Sequence, residues 1–205
     1  FGYVKGWSST PAIITQIAIT GAKTSVTGTS ETGLLAGIVL NTEIDLIFVT
    51  GTVDTQYHSG GLAGSVLFST VNNIFSSAVT PIGDNQGGLI GVFNYSTIAD
   101  SLSTAGYVEN GNVPLGYSND YSDMASLYWA TDTNGQAISA DTNNSYFGAL
   151  LSELQCPTTP NDDTCTDKGT LYENWDSEVW DFGSDRQLPG LIMNGVIYRD
   201  SDGDG

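Results

Sequence analysis

Basic side chains are the scarcest charged class in this chain. Its 205 residues include 5 lysines and arginines against 23 aspartates and glutamates, which gives a formal net charge of −18. Between Lys23 and Lys168 there is no lysine or arginine at all. Such a surface repels phosphate backbones and anionic lipid, so nucleic acid and membrane surfaces are poor partners. Cations and neutral polymers such as glycans remain compatible with it.

Long apolar runs are also missing. No run of about 18 apolar residues occurs, so we expect no membrane insertion. The chain begins at Phe1, with neither a methionine nor a positively charged apolar leader, and we expect it to be a segment of a mature, longer protein. Hydrophobic residues still make up 40%, which is enough for a packed core. Most of the polarity comes from Ser, Thr, Asn and Gly, a composition typical of extracellular bacterial β-proteins.

The chain does contain one sequence motif that is repeated three times: "TGLLAGIVLNT", "SGGLAGSVLFS" and "QGGLIGVFNYS". Gly37, Gly64 and Gly91 recur every 27 residues. A fourth copy continues at a spacing of 26, and a weaker copy places Ile17 one period before Ile44. The apolar columns in register are Leu35, Leu62 and Leu89; Val39, Val66 and Phe93; Ile44, Val71 and Ile98; and Phe48, Phe75 and Leu102, with Leu115, Met124, Tyr128 and Ala130 in the fourth copy.

This period predicts the fold. At ~3.3 Å per residue, 27 residues supply three short strands and three turns, which is one coil of a β-helix. A propeller blade needs roughly 40 residues, and the frequent Gly, Asn and Asp turns argue against helical repeats. We therefore predict an all-β parallel β-helix of about four to five coils over residues 1–145. The apolar columns should fill its interior, and the repeated glycines should lie at tight corners.

The repeat also resembles a known family. "GGLAG" and "GGLIG", followed by "SSAVT" or "STAGYV", resemble the GLUG motif of bacterial secreted and surface repeat proteins over roughly residues 30–130. The segment "YENWDSEVWDFGSDRQLPGLI" is similar to the one that closes such arrays in large adhesin-like exoproteins. The resemblance implies a right-handed β-helix, a secreted or cell-surface location and an adhesive setting. It supplies no catalytic residues, and the metal-binding helix motif of the IgA-specific metallopeptidases that carry GLUG repeats is absent.

Residues 146–196 are predicted to form a C-terminal cap, because the last coil of a solenoid exposes strand edges and open core. In "SYFGALLSEL" the spacing of the apolar residues predicts a helix with Asn144 or Ser145 as its N-cap. A cluster of aromatic residues should close the core, and a sugar-binding site is the alternative interpretation of this cluster. The helix positions are Phe147, Leu150, Leu151 and Leu154; the cluster is Trp175, Val179, Trp180 and Phe182.

Cys156 and Cys165 are the only two cysteines and enclose a polar loop. In a chain of extracellular character they predict a disulfide bond, which implies an oxidising compartment. Closing so short a loop stabilises by roughly 2–3 kcal/mol in the chain-entropy model. Zinc would need two further ligands.

Catalytic signatures are absent from the sequence. The single histidine, His58, falls in the variable turn before Gly60, and no serine lies in a nucleophile-elbow pattern. Carboxylates such as Asp45 and Asp100 do not repeat in one column, as the clustered acids of polysaccharide-cleaving β-helices would. The chain is therefore expected not to be an enzyme.

Two hydroxyl columns accompany the apolar ones. We expect them to form cross-coil hydrogen-bonding pairs on a solvated face. Ice binding is the alternative, although the Thr-x-Thr repeat of an ice-binding plane is not sustained. The columns are Thr42, Ser69 and Ser96, and Thr50, Ser77 and Thr104.

Residues 197–205 end in "DSDGDG", where Asp200, Asp202 and Asp204 alternate before a glycine. This matches the opening of a calcium loop and resembles the start of thrombospondin type-3-like repeats. We expect calcium to bind in a longer parent protein and to be weakly bound or absent here. A flexible acidic tail is the alternative.

These patterns together predict a non-catalytic extracellular module of a larger bacterial surface or secreted protein. It would act as a spacer, an adhesin module or an assembly subunit, with glycans, other surface proteins or further copies of itself as partners. The alternative is a carbohydrate-binding or polysaccharide-degrading β-helix module.

Overall fold

The computed structural model describes residues 1–21, 24–80, 84–104, 114–119, 121–132, 146–155, 171–183 and 187–200. These residues form a β-solenoid of about four turns with a C-terminal module packed on its side. The predicted stacked β-coil architecture is confirmed. Within the described ranges, no helix is long and apolar enough to cross a membrane.

The strands follow one another coil by coil. The first two coils contain β1 (Tyr3–Lys5), β2 (Ala12–Ile19), β3 (Ser25–Thr27), β4 (Thr32–Gly33), β5 (Ala36–Leu40), β6 (Thr42–Val49) and β7 (Thr52–Asp54). The next coils contain β8 (Tyr57–Gly60), β9 (Ala63–Leu67), β10 (Thr70–Ser76), β11 (Asp84–Gly87), β12 (Ile90–Asn94), β13 (Thr97–Ser103), β14 (Leu115–Ser118) and β15 (Asp123–Ala130). The chain continues with β16 (Tyr146–Ala149), α1 (Leu151–Leu154), β17 (Trp180–Asp181), β18 (Gly190–Met193) and β19 (Val196–Tyr198).

Equivalent strands of successive coils pair in parallel and form the walls of the solenoid. Sheet A has the order β1-β5-β9-β12-β14, sheet B the order β16-β15-β13-β10-β6-β2, and sheet C the order β11-β8-β4. The pair β3-β7 forms a short fourth sheet. Strands β17, β18 and β19 pair antiparallel and belong to the lateral module.

The register confirms the 27-residue period in the central coils. Val71 pairs with Ile44 on one side and with Ile98 on the other. The fourth copy is only partly as predicted. Met124 does pair with Ile98, but Leu115 pairs with Ile90 and not with Leu89. This shift places Gly116 opposite Gly91, because Leu115 pairs with Ile90 and Tyr117 pairs with Val92.

The register of the first coil differs from the prediction. Ile17 pairs with Ile47, and it is Ile14 that pairs with Ile44. The three additional residues lie between β2 and β3, which are five residues apart (20–24), whereas β6 and β7 are two residues apart (50–51). A separate insertion precedes β2: six residues, 6–11, separate β1 from β2, where only Asn41 separates β5 from β6.

The interior of the solenoid is a continuous apolar core. It contains the leucine column Leu35, Leu62 and Leu89 and the column Ile44, Val71 and Ile98, as predicted. Leu62, Ile44 and Val71 are fully buried. Each such side chain contributes about 1.5–3 kcal/mol of burial free energy.

One predicted interior column faces outward instead. Strands β2, β6, β10, β13 and β15 of sheet B each carry a left-handed residue near the middle, with φ between 47° and 58°: Gln16, Leu46, Asn73, Asp100 and Ser126. This residue breaks the two-residue alternation of the strand, so that Ile44 and Ile47 both point inward although they are three apart. Phe48 consequently points outward, and the prediction that Phe48, Phe75 and Leu102 fill the interior is wrong.

The lateral module covers that outward column. The second hydrophobic cluster joins Phe48, Phe75 and Leu102 to Trp175, Trp180, Phe182, Leu188, Leu191 and Met193 of the module. The ring centroids of Phe48 and Tyr198 lie 5.9 Å apart, and those of Tyr128 and Trp175 lie 5.6 Å apart. Residues 171–183 and 187–198 therefore pack along the flank of the coils. The expectation that the aromatic cluster of the predicted cap closes the end of the array is wrong.

The predicted helix over "SYFGALLSEL" is also mostly wrong. Residues 146–149 form strand β16, in which Ala149 pairs with Ala130 of β15. Only Leu151–Leu154 is helical. Pairing with the free edge of β15 overrides the helical spacing of the apolar residues, and Asn144 and Ser145, the proposed N-caps, lie outside the described residues. The Asp132 carboxylate accepts a 2.7 Å hydrogen bond from the N–H of Leu151 at the start of the helix.

The repeated glycines lie inside strands and not at corners, which corrects their predicted position. A Cβ on Gly91 would lie 2.6 Å from the carbonyl oxygen of Gly64 and 2.7 Å from backbone atoms of His58 and Ser59. The predicted intolerance of a side chain therefore has a different cause. At these positions sheet A passes directly over the backbone of sheet C in the preceding coil.

Candidate functional site

The exposed half of sheet B forms a polar trough, which is defined by Glu43, Asp45, Thr70 and Asn72 with Ile13 and Thr15 at its edge. It holds a cavity of about 340 Å³. The left-handed column separates this half from the half that the lateral module covers. The trough therefore lies between the module and the corner where sheet A meets sheet B.

A chain of hydrogen bonds closes the module side of the trough. The Asn73 side-chain amide donates to Oδ1 of Asp45 over 2.8 Å, and Asn73 Oδ1 accepts from Nε1 of Trp180 over 2.9 Å. Asn73 thus links a carboxylate of the solenoid to an indole of the module. The Asn73 amide therefore holds one oxygen of the Asp45 carboxylate in place.

Asp100 lies next to Asn73 in the left-handed column. Its carboxyl group is half buried, and this loss of hydration raises its pKa above the ordinary value, while a hydrogen bond with Ser126 partly opposes the shift. Asp45 and Asp100 stand on different strands and in different columns, as the sequence analysis expected.

A ladder of aromatic rings stands at the corner where sheet A meets sheet B. Phe68, Tyr95 and Tyr121 stack in parallel with centroid separations of 5.0 Å and 5.4 Å and interplanar angles of 10° and 9°. All three side chains are about half exposed or more. Phe68 and Tyr95 adopt left-handed φ values of 48° and 51° at the corner. The separations match the ~4.8 Å distance between neighbouring strands, because the rings belong to successive coils.

The column continues below Phe68 with Asn41, which has the same left-handed conformation, φ 48°. The longer first coil then projects over this position. Its turn is closed by two hydrogen bonds between Trp7 and Thr10, of 3.0 Å and 2.9 Å. Gly6 passes so close to the Asn41 carbonyl that a side chain could not be accommodated. The turn presents Trp7, which is 73% exposed, and the Lys5 ammonium lies 5.3 Å from its ring centroid.

Trp7, Asn41 and Phe68 enclose a second cavity of about 190 Å³. We call it the corner slot. Glu43 and Thr70 line both the corner slot and the trough, so that the two cavities adjoin at these residues. None of the residues that line either cavity is basic.

The hydroxyl columns differ from the expected solvated ladders. Thr42, Ser69 and Ser96 do link coils: the N–H groups of Thr42 and Ser69 each donate over 3.1 Å to the hydroxyl of the next coil. These three residues are buried, however, as are Ser77 and Thr104 of the second column. The columns are part of the packed wall and present no flat hydroxyl surface.

His58 lies in strand β8 and not in a turn, which corrects its predicted location. Its Nδ1 lies 3.2 Å from a carboxylate oxygen of Glu31. A hydrogen bond from Ser30 and the nearby His58 lower the pKa of Glu31, against a smaller opposing effect of burial. The pair joins two neighbouring coils of sheet C and brings no nucleophile to the histidine.

The remaining predicted site residues are mostly outside the described part of the chain. Cys156, Cys165, Asp202 and Asp204 belong to those segments, so the disulfide and most of the calcium motif stay predictions. Asp200 follows β19 and is 8% exposed. Among the described residues no group of three or more potential metal ligands is found.

The sequence analysis missed the aromatic ladder and the corner slot. The sequence does contain a signal for the ladder, since Phe68 and Tyr95 occupy the same position in two copies of the repeated motif. The slot had none, because the projecting turn is outside the repeat. Comparison with protein-family models, with curated proteins and with solved structures gave no match.

Proposed function

We propose that this chain is a non-catalytic structural and adhesive module of a secreted or surface-attached bacterial protein, of the GLUG-motif type. The observation that carries the proposal is the packing of the lateral module against the outward column of four successive coils, from Phe48 through Phe75 and Leu102 to Tyr128. Such packing makes the coils a stiff support. It leaves the trough and the aromatic ladder exposed in lines along the solenoid.

The GLUG assignment is supported by what the repeated glycines do. The motif alternates a buried leucine with glycines whose Cβ positions are occupied by backbone of neighbouring strands. The short G-x-L-x-G motif therefore fits the close approach of two sheets in the three coils that carry it.

A combined activity and retention assay tests the proposed function. The purified 205-residue chain is incubated with a panel of plant and bacterial polysaccharides, and released reducing ends and bound protein are both measured. We expect retention without release of sugar. Release that is lost in Asp45→Asn or Asp100→Asn would show that the module is a hydrolase.

Calcium binding is proposed for the C-terminal aspartates of a longer parent. Asp200, Asp202 and Asp204 offer the hard carboxylate oxygens that calcium prefers, and the bound ion would stiffen the segment that follows the module. Calorimetry on a chain extended by about fifteen residues tests this, since the EF-hand-like spacing places later ligands beyond the first six positions. Binding that survives both Asp200→Ala and Asp202→Ala would contradict it.

A further inference from the structure

We propose that the corner slot and the adjoining trough bind a short neutral oligosaccharide. One sugar ring would occupy the slot between Trp7 and Phe68, and the following rings would lie along the trough. The inference rests on the proposed non-catalytic role, and it adds the class of ligand and the residues that hold it.

The first support is an uncovered aromatic face. Tyr95 stacks on one face of Phe68 at 5.0 Å. The next position of the column, on the other face, is taken by Asn41, which has an amide in place of a ring. Tyr95 is covered on both faces by its neighbours, and Tyr121, at the far end of the ladder, lines neither the slot nor the trough. The Phe68 end of the ladder borders the corner slot.

The second support is the projecting turn. The later coils cross this corner with one, two, two and four residues, whereas the first coil uses six and places an exposed tryptophan over the gap. Insertions in repeat proteins commonly occur on the binding face. The paired backbone hydrogen bonds fix the turn that carries Trp7, and the Lys5 ammonium lies 5.3 Å from the centroid of its ring.

The polar groups match the hydroxyls of a sugar. Glu43 and Thr70 lie where slot and trough meet, and Asp45 and Asn72 follow along the trough. Carboxylates accept hydrogen bonds from neighbouring hydroxyl groups, and the Asn and Thr side chains can both donate and accept. Two carboxylates without a lining basic residue repel a uronic acid or a phosphorylated sugar. The ligand class is therefore neutral.

The dimensions suit a short oligosaccharide. A slot of about 190 Å³ is small by itself, and the adjoining 340 Å³ brings the site into the roughly 300–1,000 Å³ range of small-molecule pockets. Both cavities are open, which is compatible with the end or side of a longer glycan chain.

The binding experiment uses four neutral probes, cellotetraose, xylotetraose, mannotetraose and chitotetraose, with tetragalacturonate as the anionic counterpart. Trp7 provides an internal signal because the other three tryptophans are at most 3% exposed. We expect at least one neutral probe to bind in calorimetry and to protect Trp7 from quenching by acrylamide. Tetragalacturonate should bind at least about tenfold more weakly.

Matched variants locate the site. Trp7→Ala and Phe68→Ala should each weaken binding roughly three- to tenfold, which is the usual range for loss of one aromatic contact. Tyr121→Ala is the control, because it removes an exposed ring from the far end of the same ladder. Circular dichroism melts check that all three variants fold. Glu43→Gln, which keeps the shape of the side chain, is the second probe should an aromatic variant fail to fold.

Several outcomes would overturn the proposal: no neutral probe binds, Trp7→Ala and Phe68→Ala bind normally, Tyr121→Ala is equally impaired, or the anionic probe binds best. A parent dimer that Trp7→Ala dissociates would assign the slot to a second copy of the chain and also overturn it. Release of sugar by the parent would contradict the proposed non-catalytic function and leave the binding site standing.

Discussion

At the scale of single residues, the fold depends on positions where backbone passes backbone. Gly91 is one of them, since sheet A crosses the preceding coil of sheet C at that point. The conformation of the glycine is ordinary there, so the requirement is for space and not for a left-handed φ.

Gly91→Ala should therefore destabilise the protein by about 1–3 kcal/mol, the usual cost of forcing extra volume into packed structure. Gly2→Ala is the control, because a Cβ at Gly2 would have no neighbour within 4 Å. Denaturant unfolding of both variants measures the difference. Equal midpoints would show that the two sheets can separate at no cost.

Asp100 gives a pH-dependent prediction. Its pKa is raised in the folded protein because burial removes hydration from the carboxylate, so folding disfavours the charged form. Stability from this group is then lost as pH rises from the unfolded value, near 3.8, through the folded pKa. Asp100→Asn removes that cost, and asparagine tolerates the φ of 47° at this position.

We expect Asp100→Asn to raise the melting temperature at pH 7 and to lose this advantage as the pH falls to about 3. Asp123→Asn, an exposed carboxylate at the start of β15, serves as the comparison. A pH-independent gain in Asp100→Asn would mean that charge burial is not the cause.

At the scale of secondary-structure elements, a single strand of sheet B contributes side chains to two separate hydrophobic cores. Ile74 belongs to the interior core, whereas Phe75, the next residue of β10, belongs to the cluster with the lateral module. The two side chains point to opposite faces, and both are fully buried.

Truncating these neighbours should have different consequences. Ile74→Ala should cost about 2–5 kcal/mol and destabilise the coils, while Phe75→Ala should cost about 3–5 kcal/mol and loosen the lateral module first. Hydrogen exchange resolves the two cases. Faster exchange confined to β17–β19 is expected for Phe75→Ala, and a uniform increase across both sheets would contradict separate cores.

The sequence predicts only in part which strand side chains point inward, and the reasons are physical. Columns such as Leu35, Leu62 and Leu89 are predictable because a solenoid repeats the same inward position in every coil. The outward turn of Phe48 is not, because it depends on a left-handed residue that is Leu46 in one coil and Asn73 in the next. No residue type marks that position consistently.

The candidate site is likewise only partly predictable from the sequence. Asp45 and Asn72 are recognisable as one column, since they repeat with the period. Trp7 comes to lie beside Phe68 only through a turn that occurs once. Neither the repeat period nor local secondary-structure propensity predicts that Trp7 lies beside Phe68.

At the scale of the whole molecule, stability depends on contacts between neighbouring coils, as in other repeat proteins. A defect in the middle of the interior core therefore removes support from both directions. Leu62 is fully buried at such a position.

Leu62→Asp should unfold the protein, because burying an unpaired carboxylate costs several kcal/mol. Leu89→Asp should do the same. Thr97→Asp is the control, since Thr97 lies on the exposed outer face of β13. Circular dichroism melts measure all three. A parent-like melt for either leucine variant would contradict the interior placement of that column.

The projecting turn has a consequence for redesign of the molecule. Strand pairing is regular on both sides of it, with Lys5 opposite Leu40 before the turn and Ala12 opposite Thr42 after it. Six residues thus take the place of one without disturbing either sheet. The equivalent corners at Phe68 and Tyr95 should accept grafted loops in the same way, which would turn the ladder into a row of variable loops held one strand spacing apart.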